Sequence, residues 1–482
     1  MGNFLFATTK NIIKTLVYLT LGGLTVLLTV FVLYLESRPD LKVWHDAELD
    51  TEFTAGSPVA YFSEYVQLEE KLFQQLEENV YARVEPGDRN LLNRFNHGSM
   101  SDPALWEQDW NRTFELSHES PKAGVLLLHG MSDSPYSLRN IGHSLHKAGA
   151  TVVGLRIPGH GTAPSGLVEM QWQDMTAAVK LAMNHLHKTA NGQPLYIIGY
   201  SNGSALAVHY ALSTLDDELL PKAEGLVLIS PAIGVTKLAA FAVWQGRLGH
   251  LLGFDKLAWN SIELEYDPFK YNSFAVNAGD QVYRLTSKIQ ELLKKNKGSL
   301  IKLPPILAFQ SVVDATVSTS VLITGLFEKL PAGGHELVLF DINRINQSAK
   351  FFNHDPKPYL DRMFKNAELP FTLALITNED ETSRRVQMLR KEPGSPEINT
   401  LKLNSAWPSA MHSLSHIALP FPKTDLLYGE YNPEENPGLH LGDIAIRGER
   451  GVLQIPASAM LRLRWNPFYS YFEERTIHFI GL

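Results

Sequence analysis

The sequence predicts an α/β fold with a mostly parallel central sheet and helices on both of its faces. Short apolar runs such as Gly124–Leu128 and Gly225–Ile229 recur along the chain, and stretches of helical spacing separate them. Unbroken apolar runs are typical of strands buried on both faces, and strands that alternate with helices indicate βαβ units. The order of these elements therefore predicts a parallel sheet.

The elements and boundaries follow from these patterns. Strands are predicted at residues 124–128, 151–155, 195–198, 225–229, 305–309 and 336–340, and helices at about 63–78, 137–147, 172–187, 204–212 and 467–480. The predicted parts are an N-terminal membrane anchor at 1–36, an extension packed on the main body at 37–120, the first half of the core at 121–235, an aromatic-rich helical lid at 236–300, and the second half of the core at 301–482. An insertion at about 345–403 carries its own strand-like run, Phe371–Ile376.

Composition excludes several classes of function. The formal net charge of −8 argues against a nucleic-acid partner, because such proteins usually carry a clustered basic surface. The chain has no cysteine, so it has no disulfide, no thiolate metal site and no cysteine nucleophile. The histidines form no H-E-x-x-H motif, and we expect neither a metal nor a cofactor. Nothing in the sequence decides the oligomeric state.

The N-terminus predicts attachment to a membrane. No charged residue occurs from Thr15 to Leu35, and about 20 apolar residues are enough to cross a bilayer. A retained anchor is the favoured interpretation, with a cleaved signal peptide and a buried core helix as alternatives. Lys10 and Lys14 precede the span, so the positive-inside rule leaves the N-terminus in the cytoplasm and the large body on the other side.

The candidate nucleophile is Ser201, in the sequence Gly199-Tyr200-Ser201-Asn202-Gly203. This G-x-S-x-G motif lies between a predicted strand and a predicted helix, and in that setting it forms a tight turn that lifts the serine above the sheet edge. Glycine on both sides allows the backbone to fold closely. The alternative is an exposed turn that only caps the helix.

Two backbone N–H groups are candidates for an oxyanion hole. His129-Gly130-Met131 ends the first strong strand, and a loop at this place can direct an N–H group at a carbonyl oxygen. The second group belongs to the residue after the nucleophile. We therefore expect Met131 and Asn202 to be the donors, and His129 to hold the loop by hydrogen bonds.

A serine nucleophile needs a base, and the base needs an acid that orients it. Asp314 follows the strand 305–309, in the region where active-site loops gather in a parallel sheet. Its alternative role is to cap a following helix. Two later histidines compete for the base, and we favour His416 over His412 because a proline-rich loop, Ile417–Pro422, follows it.

With these residues placed, the chain resembles the α/β-hydrolase superfamily, in the branch of monoacylglycerol lipases, lysophospholipases and serine aminopeptidase-like hydrolases. The resemblance covers about residues 121–235 and is carried by LLLHGMSDSPYSLRN, VVGLRIPGHGTAPSG and YIIGYSNGSALAVHYAL. It implies Ser201 as nucleophile, Asp314 as acid, His416 as base, and Met131 and Asn202 as oxyanion donors. The chain departs from the family in its anchor, its extension and the insertion before His416.

The resemblance implies an anchored serine hydrolase of a bacterial envelope, with its catalytic body in the periplasm. The expected substrate is a carboxylic ester, either an acylglycerol, a lysophospholipid or a smaller ester, with the lid covering an apolar acyl pocket. One alternative is a peptidase or amidase with the same three residues, in which acidic lid residues such as Glu263 and Glu265 receive a substrate amine. The other is a non-catalytic envelope protein on the same scaffold.

Overall fold

A computed structural model describes residues 2–234, 255–345, 355–409, 411–430, 438–442, 462 and 464–482. Its main feature is one large sheet in the order β1-β3-β2-β4-β5-β8-β9-β10-β11-β12. The strands are β1 Phe114–Leu116, β2 Ala123–Leu128, β3 Ala150–Leu155, β4 Leu195–Tyr200, β5 Gly225–Ile229, β6 Trp259–Ser261, β7 Phe274–Ala275, β8 Ile306–Ser311, β9 Glu336–Phe340, β10 Thr372–Asn378, β11 Arg385–Lys391 and β12 Asn399–Ala406. The short strands β6 and β7 pair with each other outside the large sheet.

The centre of the sheet is parallel, as the sequence predicts. The strands from β3 to β10 pair in parallel along the sheet order, whereas β1, β11 and β12 join the edges in antiparallel fashion. Strand β3 lies on one side of β2 and β4 on the other, so the direction in which strands are added to the sheet reverses at β2. Ligand sites of open α/β sheets lie at such a reversal, beyond the carboxyl ends of the strands.

Helices cover both faces of this sheet. The α-helices of the described residues, including α1, which covers neither face, are α1 Gly2–Ser37, α2 Val43–Asp46, α3 Phe62–Asn79, α4 Arg139–Ala148, α5 Gly166–Glu169, α6 Trp172–Thr189, α7 Asn202–Ser213, α8 Val276–Lys295, α9 Thr319–Gly325, α10 Lys357–Lys365 and α11 Tyr469–Ile480. Successive side chains of a strand point to opposite faces. In β2, Leu126 and Leu128 accordingly pack with α3, α6, α7 and α8, whereas Val125 and Leu127 pack with α4 and α11.

The insertion at 345–403 enlarges the sheet. Its predicted strand exists as β10, which pairs in parallel with β9. The antiparallel strands β11 and β12 were not predicted from the sequence. Most residues of β12 are exposed, so this strand lacks the apolar run by which the inner strands were recognised. Residues 346–354 of the insertion lie outside the described residues.

The predicted lid is only partly helical in the part that the structure describes. Residues 235–254, which include Phe241, Trp244 and Phe254, lie outside the described residues. From residue 255 onward the chain forms the small β6–β7 hairpin before it enters α8. In the loop between β6 and β7, the ring of Phe269 stacks on the ring of Tyr136 of the main body, with ring centroids 4.2 Å apart. The base of the lid is therefore packed as core.

The extension is fixed to the main body by a buried cation. Arg156 follows β3, and its guanidinium donates to Glu52 at 2.9 Å and to Glu69 at 2.8 Å. Tyr65 donates its hydroxyl to the Arg156 carbonyl at 2.6 Å, and Glu52 also accepts from the Gly159 N–H at 2.9 Å. Removing one partner from a buried ion pair typically costs about 3–5 kcal/mol. This network gives the contact between extension and core a specific geometry.

Helix α1 is the one helix of the described residues that is long and apolar enough to cross a membrane. The qualifying segment is Ile13–Ser37, with a mean hydropathy of 2.3 and none of its most apolar window buried against the body. Length and composition agree with a membrane anchor, and a signal sequence near the N-terminus meets the same criteria. Most of the apolar side chains of Ile13–Ser37 are exposed.

Candidate active site

Ser201 lies at a sharp turn between β4 and α7. Its backbone has φ 52° and ψ −112°, a strained conformation for a residue with a side chain. Its N–H donates to the Ile229 carbonyl at 2.8 Å, which ties the turn to β5. The structure gives its side chain no capping hydrogen bond to α7, so the capping alternative is not supported within the described residues. The Ser201 hydroxyl is therefore not used to cap α7.

The two glycines of the motif are required by close backbone approach. A Cβ atom on Gly203 would lie 1.9 Å from the Leu128 carbonyl oxygen, and one on Gly199 would lie 2.5 Å from the Gly203 carbonyl carbon. Neither contact can be relieved by a side-chain movement, because the obstructing atoms belong to the backbone. The motif is thus a steric requirement for packing the start of α7 against β2 and β4.

The loop after β2 carries the first expected oxyanion donor. Among the described residues, neither the Met131 N–H nor the Asn202 N–H has a hydrogen-bond acceptor. Unpaired N–H groups are rare in protein interiors, and Asn202 is buried. An oxyanion hole requires two such donors, and the sequence analysis expects them here, one in the loop after β2 and one at the start of α7.

His129 holds this loop in place. Its Nε2 accepts from the Ile157 N–H at 3.0 Å, and its Nδ1 donates to the Gly130 carbonyl at 2.9 Å. Burial, followed by the positive field of His160, lowers the pKa of His129 well below its usual value. The ring is therefore neutral and links the β2 loop to the loop after β3, in agreement with the sequence expectation.

Asp314 and His416 are in contact although 102 residues separate them in the chain. The Nδ1–H of His416 donates to Asp314 Oδ2 at 2.8 Å, and the Asp314 side chain is fully buried. The other carboxylate oxygen accepts from the N–H groups of Thr316 and Val317. Burial by itself would raise the pKa of Asp314, but His416 and these N–H groups outweigh it and lower the pKa below the usual value. The carboxylate is therefore ionised beside the imidazole.

The helix-capping alternative for Asp314 does not hold. Helix α9 begins at Thr319, and its cap is Ser318, whose hydroxyl accepts from the Val321 N–H. The Asp314 carboxylate instead forms a turn with the two residues that follow it by two and three positions. That turn leaves its second oxygen directed at His416.

The two candidate histidines occupy different surroundings. His416 is buried in a short 3₁₀ turn, His416–Ala418, and its ring lies 5.4 Å from the ring of Tyr200. His412 is exposed, and its carbonyl accepts from the Asn343 N–H at 2.8 Å. Of the two, only His416 is hydrogen-bonded to Asp314 in the described structure.

Two side chains that the sequence analysis did not select complete the surroundings. Tyr200 donates its hydroxyl to the His416 carbonyl at 3.4 Å, which joins the residue before Ser201 to the candidate base. Gln310 donates to Asp314 Oδ2 at 3.1 Å and to the Val317 carbonyl at 3.1 Å. Tyr200 stands inside the recognised motif and could have been suspected, but no sequence signal marks Gln310.

No cluster of three or more histidine, aspartate or glutamate side chains in the described residues could hold a metal ion. The candidate site consists instead of a serine, an imidazole, a carboxylate and backbone N–H groups. This set suits acyl transfer by nucleophilic catalysis.

Part of the chain is similar to known hydrolases. Residues 119–341 match the family model described as serine aminopeptidase, S33. A thermostable monoacylglycerol lipase of Bacillus sp. (strain H-257) is 31% identical over 134 residues, which are 28% of this chain and 50% of that protein. The chain thus spans about half the length of the curated relative that it matches.

Solved structures with a similar fold include two lipases. The monoacylglycerol lipase of Paleococcus ferrophilus is 18% identical, with a TM-score of 0.37, and the match covers 48% of this chain and 88% of that chain. A soluble variant of the monoglyceride lipase of Saccharomyces cerevisiae is 16% identical, with a TM-score of 0.36, and the match covers 48% and 82%. The family match together with the strand order identifies residues 119–341 as an α/β-hydrolase domain.

Proposed function

We propose that this protein is a serine hydrolase that cleaves carboxylic esters through an acyl-enzyme on Ser201. The observation that carries the proposal is the 2.8 Å hydrogen bond between Asp314 and His416. It orders the buried histidine next to Tyr200, the residue that precedes Ser201. The match to hydrolases of this branch supports the same conclusion.

In the proposed reaction, His416 accepts the Ser201 proton as the serine oxygen attacks the ester carbonyl. Asp314 holds the tautomer in which Nδ1 is protonated and stabilises the imidazolium that forms. The N–H groups of Met131 and Asn202 stabilise the negative charge on the carbonyl oxygen. His416 then returns the proton to the departing alcohol, and a water molecule hydrolyses the acyl-enzyme by the same steps.

An ester is favoured over an amide because of the surroundings of Glu265. The amidase alternative needs a lid carboxylate that can meet a substrate amine. Glu265 is buried, and its two oxygens accept from the backbone N–H groups of Ser273 at 2.7 Å and Asn272 at 3.0 Å. This carboxylate is occupied in shaping the lid loop, so of the two glutamates named for the amidase alternative only the half-buried Glu263 remains.

We also propose that α1 is retained as a single-pass anchor, with the body on the non-cytoplasmic side. The segment after the helix is joined to the base of the lid. Arg38 donates to the Lys256 and Trp259 carbonyls at 2.8 and 2.7 Å, and Lys256 donates to the Arg38 carbonyl at 3.0 Å and to Asp40 at 2.7 Å. The base of the lid then lies next to the membrane surface, where esters with an acyl chain are found. N-terminal sequencing of membrane-extracted protein tests the anchor, and a mature N-terminus after about residue 35 would contradict it.

Covalent labelling tests the proposed nucleophile. We expect a fluorophosphonate probe to label the wild-type protein, and Ser201→Ala to abolish both labelling and hydrolysis of p-nitrophenyl esters. Ser320→Ala, which removes an exposed hydroxyl, serves as the matched control and should label normally. Full labelling of Ser201→Ala would refute the assignment.

A further inference from the structure

A cavity of about 230 Å³ adjoins the candidate active site. Three of its lining residues are close neighbours of the proposed machinery in the chain. Tyr200 precedes Ser201, Ile417 follows His416, and Asp133 lies two residues after Met131. The cavity is thus bounded by the same three loops that carry the nucleophile, the base and the oxyanion donor.

The wall of this cavity is charged. Lys270 Nζ lies 2.8 Å from Asp133 Oδ1, and Arg464 Nη1 lies 3.3 Å from Asp267 Oδ2. Tyr428 also donates its hydroxyl to Asp267, at 2.6 Å. Each cation is paired with one carboxylate, so these two pairs together contribute no net charge. Such a wall is a poor surface for an acyl chain, because apolar contact would remove ion pairs from water without replacing their solvation.

A third cation, Arg462, breaks this balance. It lines the same cavity and is half-buried, and no carboxylate of the described residues lies within ion-pair distance of it. Burial is the main cause that raises the pKa of Tyr200, the negative charges of Asp133 and Asp314 raise it further, and the positive charge of Arg462 opposes this rise. The field of Arg462 therefore reaches the residue next to Ser201. Among the described residues of the cavity wall, the three cations Lys270, Arg462 and Arg464 therefore exceed the two carboxylates Asp133 and Asp267 by one charge.

We propose that this cavity binds an anionic group of the substrate, and that Arg462 is its counter-ion. The inference rests on the proposed ester hydrolase and names its substrate class, namely esters that carry a carboxylate or a phosphate near the scissile bond. A planar guanidinium binds both anions through paired hydrogen bonds. Pockets for whole drug-sized ligands measure about 300–1,000 Å³, so this smaller cavity suits a head group and leaves the rest of the ester outside it.

The two possible sources of the anion are separated by substrate pairs. On the acyl side, p-nitrophenyl hydrogen glutarate is compared with p-nitrophenyl butyrate. On the alcohol side, 1-butyryl-glycerol 3-phosphate is compared with monobutyrin. For at least one pair we expect the wild-type kcat/KM to be at least about tenfold higher with the anionic ester, as removal of a charged hydrogen bond costs roughly this much or more.

The matched variants are Arg462→Gln and Lys302→Gln, which remove one positive charge each, from the cavity and from the exposed surface. Arg462→Gln should remove the preference for the anionic ester by raising the KM for that ester. The kcat/KM for the neutral esters should stay within about twofold of wild type. Lys302→Gln should change neither. Equal losses on charged and neutral esters in Arg462→Gln, or no anionic preference in the wild type, would overturn the inference while Ser201-dependent hydrolysis remained. A wild-type protein that hydrolyses no ester would overturn the proposed function as well.

Discussion

Asp314, in the loop after β8, and Glu265, in the lid, are two buried carboxylates whose pKa values are shifted in opposite directions. Each accepts hydrogen bonds from two backbone N–H groups, Asp314 from Thr316 and Val317, and Glu265 from Asn272 and Ser273. The pKa of Asp314 is nevertheless lowered, whereas burial raises the pKa of Glu265 to about 7.

The difference comes from the partner on the remaining side of each carboxylate. Asp314 meets the ring N–H of His416 at 2.8 Å, so a positive charge can form against it. For Glu265, the charge of Arg94 is the smallest of the causes that lower the pKa. The hydrogen bond between the two residues joins the Arg94 backbone N–H to the Glu265 carbonyl and does not involve the carboxylate. Backbone N–H groups alone do not offset the desolvation of a fully buried carboxylate. A histidine partner therefore distinguishes Asp314, the carboxylate that we propose for catalysis, from Glu265, whose backbone hydrogen bonds hold the lid loop.

The largest expected effect comes from removing that histidine. We expect His416→Ala to lower kcat at least about 10³-fold, because serine is a poor nucleophile without its base, and to leave substrate binding nearly unchanged. His412→Ala is the matched control, with an expected loss below about tenfold. Steady-state kinetics on a p-nitrophenyl ester measure both. An inactive His412→Ala beside an active His416→Ala would reverse the assignment of the base.

A smaller loss of kcat, still at least about a hundredfold, is expected for Asp314→Asn. The asparagine oxygen can keep the contacts with Thr316 and Val317, whereas its NH₂ group would face the His416 N–H and favour the wrong tautomer. The circular dichroism and thermal midpoint of the variant should stay close to wild type, which separates lost catalysis from lost folding. Wild-type turnover in Asp314→Asn would remove Asp314 from the mechanism.

The smallest expected effect concerns stability. The folded-state pKa of Glu265, about 7, lies above its ordinary value of 4.5, so the folded protein holds this proton over a pH range in which the unfolded chain has released it. The stabilising contribution of this proton is therefore greatest at low pH and falls as pH rises toward 7, by about 2 kcal/mol between pH 5 and 7.

Thermal unfolding across this pH range measures the effect. Glu265→Gln should unfold with a weaker pH dependence than wild type, whereas Glu397→Gln, which changes an exposed glutamate, should keep the wild-type slope. Ester hydrolysis by Glu265→Gln should stay within about twofold of wild type, because the carboxylate is sealed from substrate. If the thermal stability of Glu265→Gln and of wild type depended on pH in the same way, a group other than Glu265 would be the cause of that pH dependence.

Local patterns predicted the first half of the core well. The strand predicted at 225–229 matches β5 exactly in its bounds, and the helix predicted at 172–187 is α6, Trp172–Thr189. Strands that are buried on both faces leave an apolar run that a single sequence displays. The exposed strand β12 and the hairpin in the lid leave no such run, and both were missed.

The sequence by itself determined the parallel centre of the sheet, the turn that carries Ser201 and the apolar N-terminal helix, because each depends on residues close together in the chain. Glycine at 199 and 203 is needed for steric reasons that act within a few residues of Ser201 and against the neighbouring strand. The tertiary structure alone decided between His416 and His412 as the partner of Asp314. That contact spans 102 residues and three added strands, so its formation depends on how the insertion extends the sheet. The charge of the cavity beside the site was decided in the same way, because its cations and carboxylates come from distant parts of the chain and acquire their balance only when the chain folds.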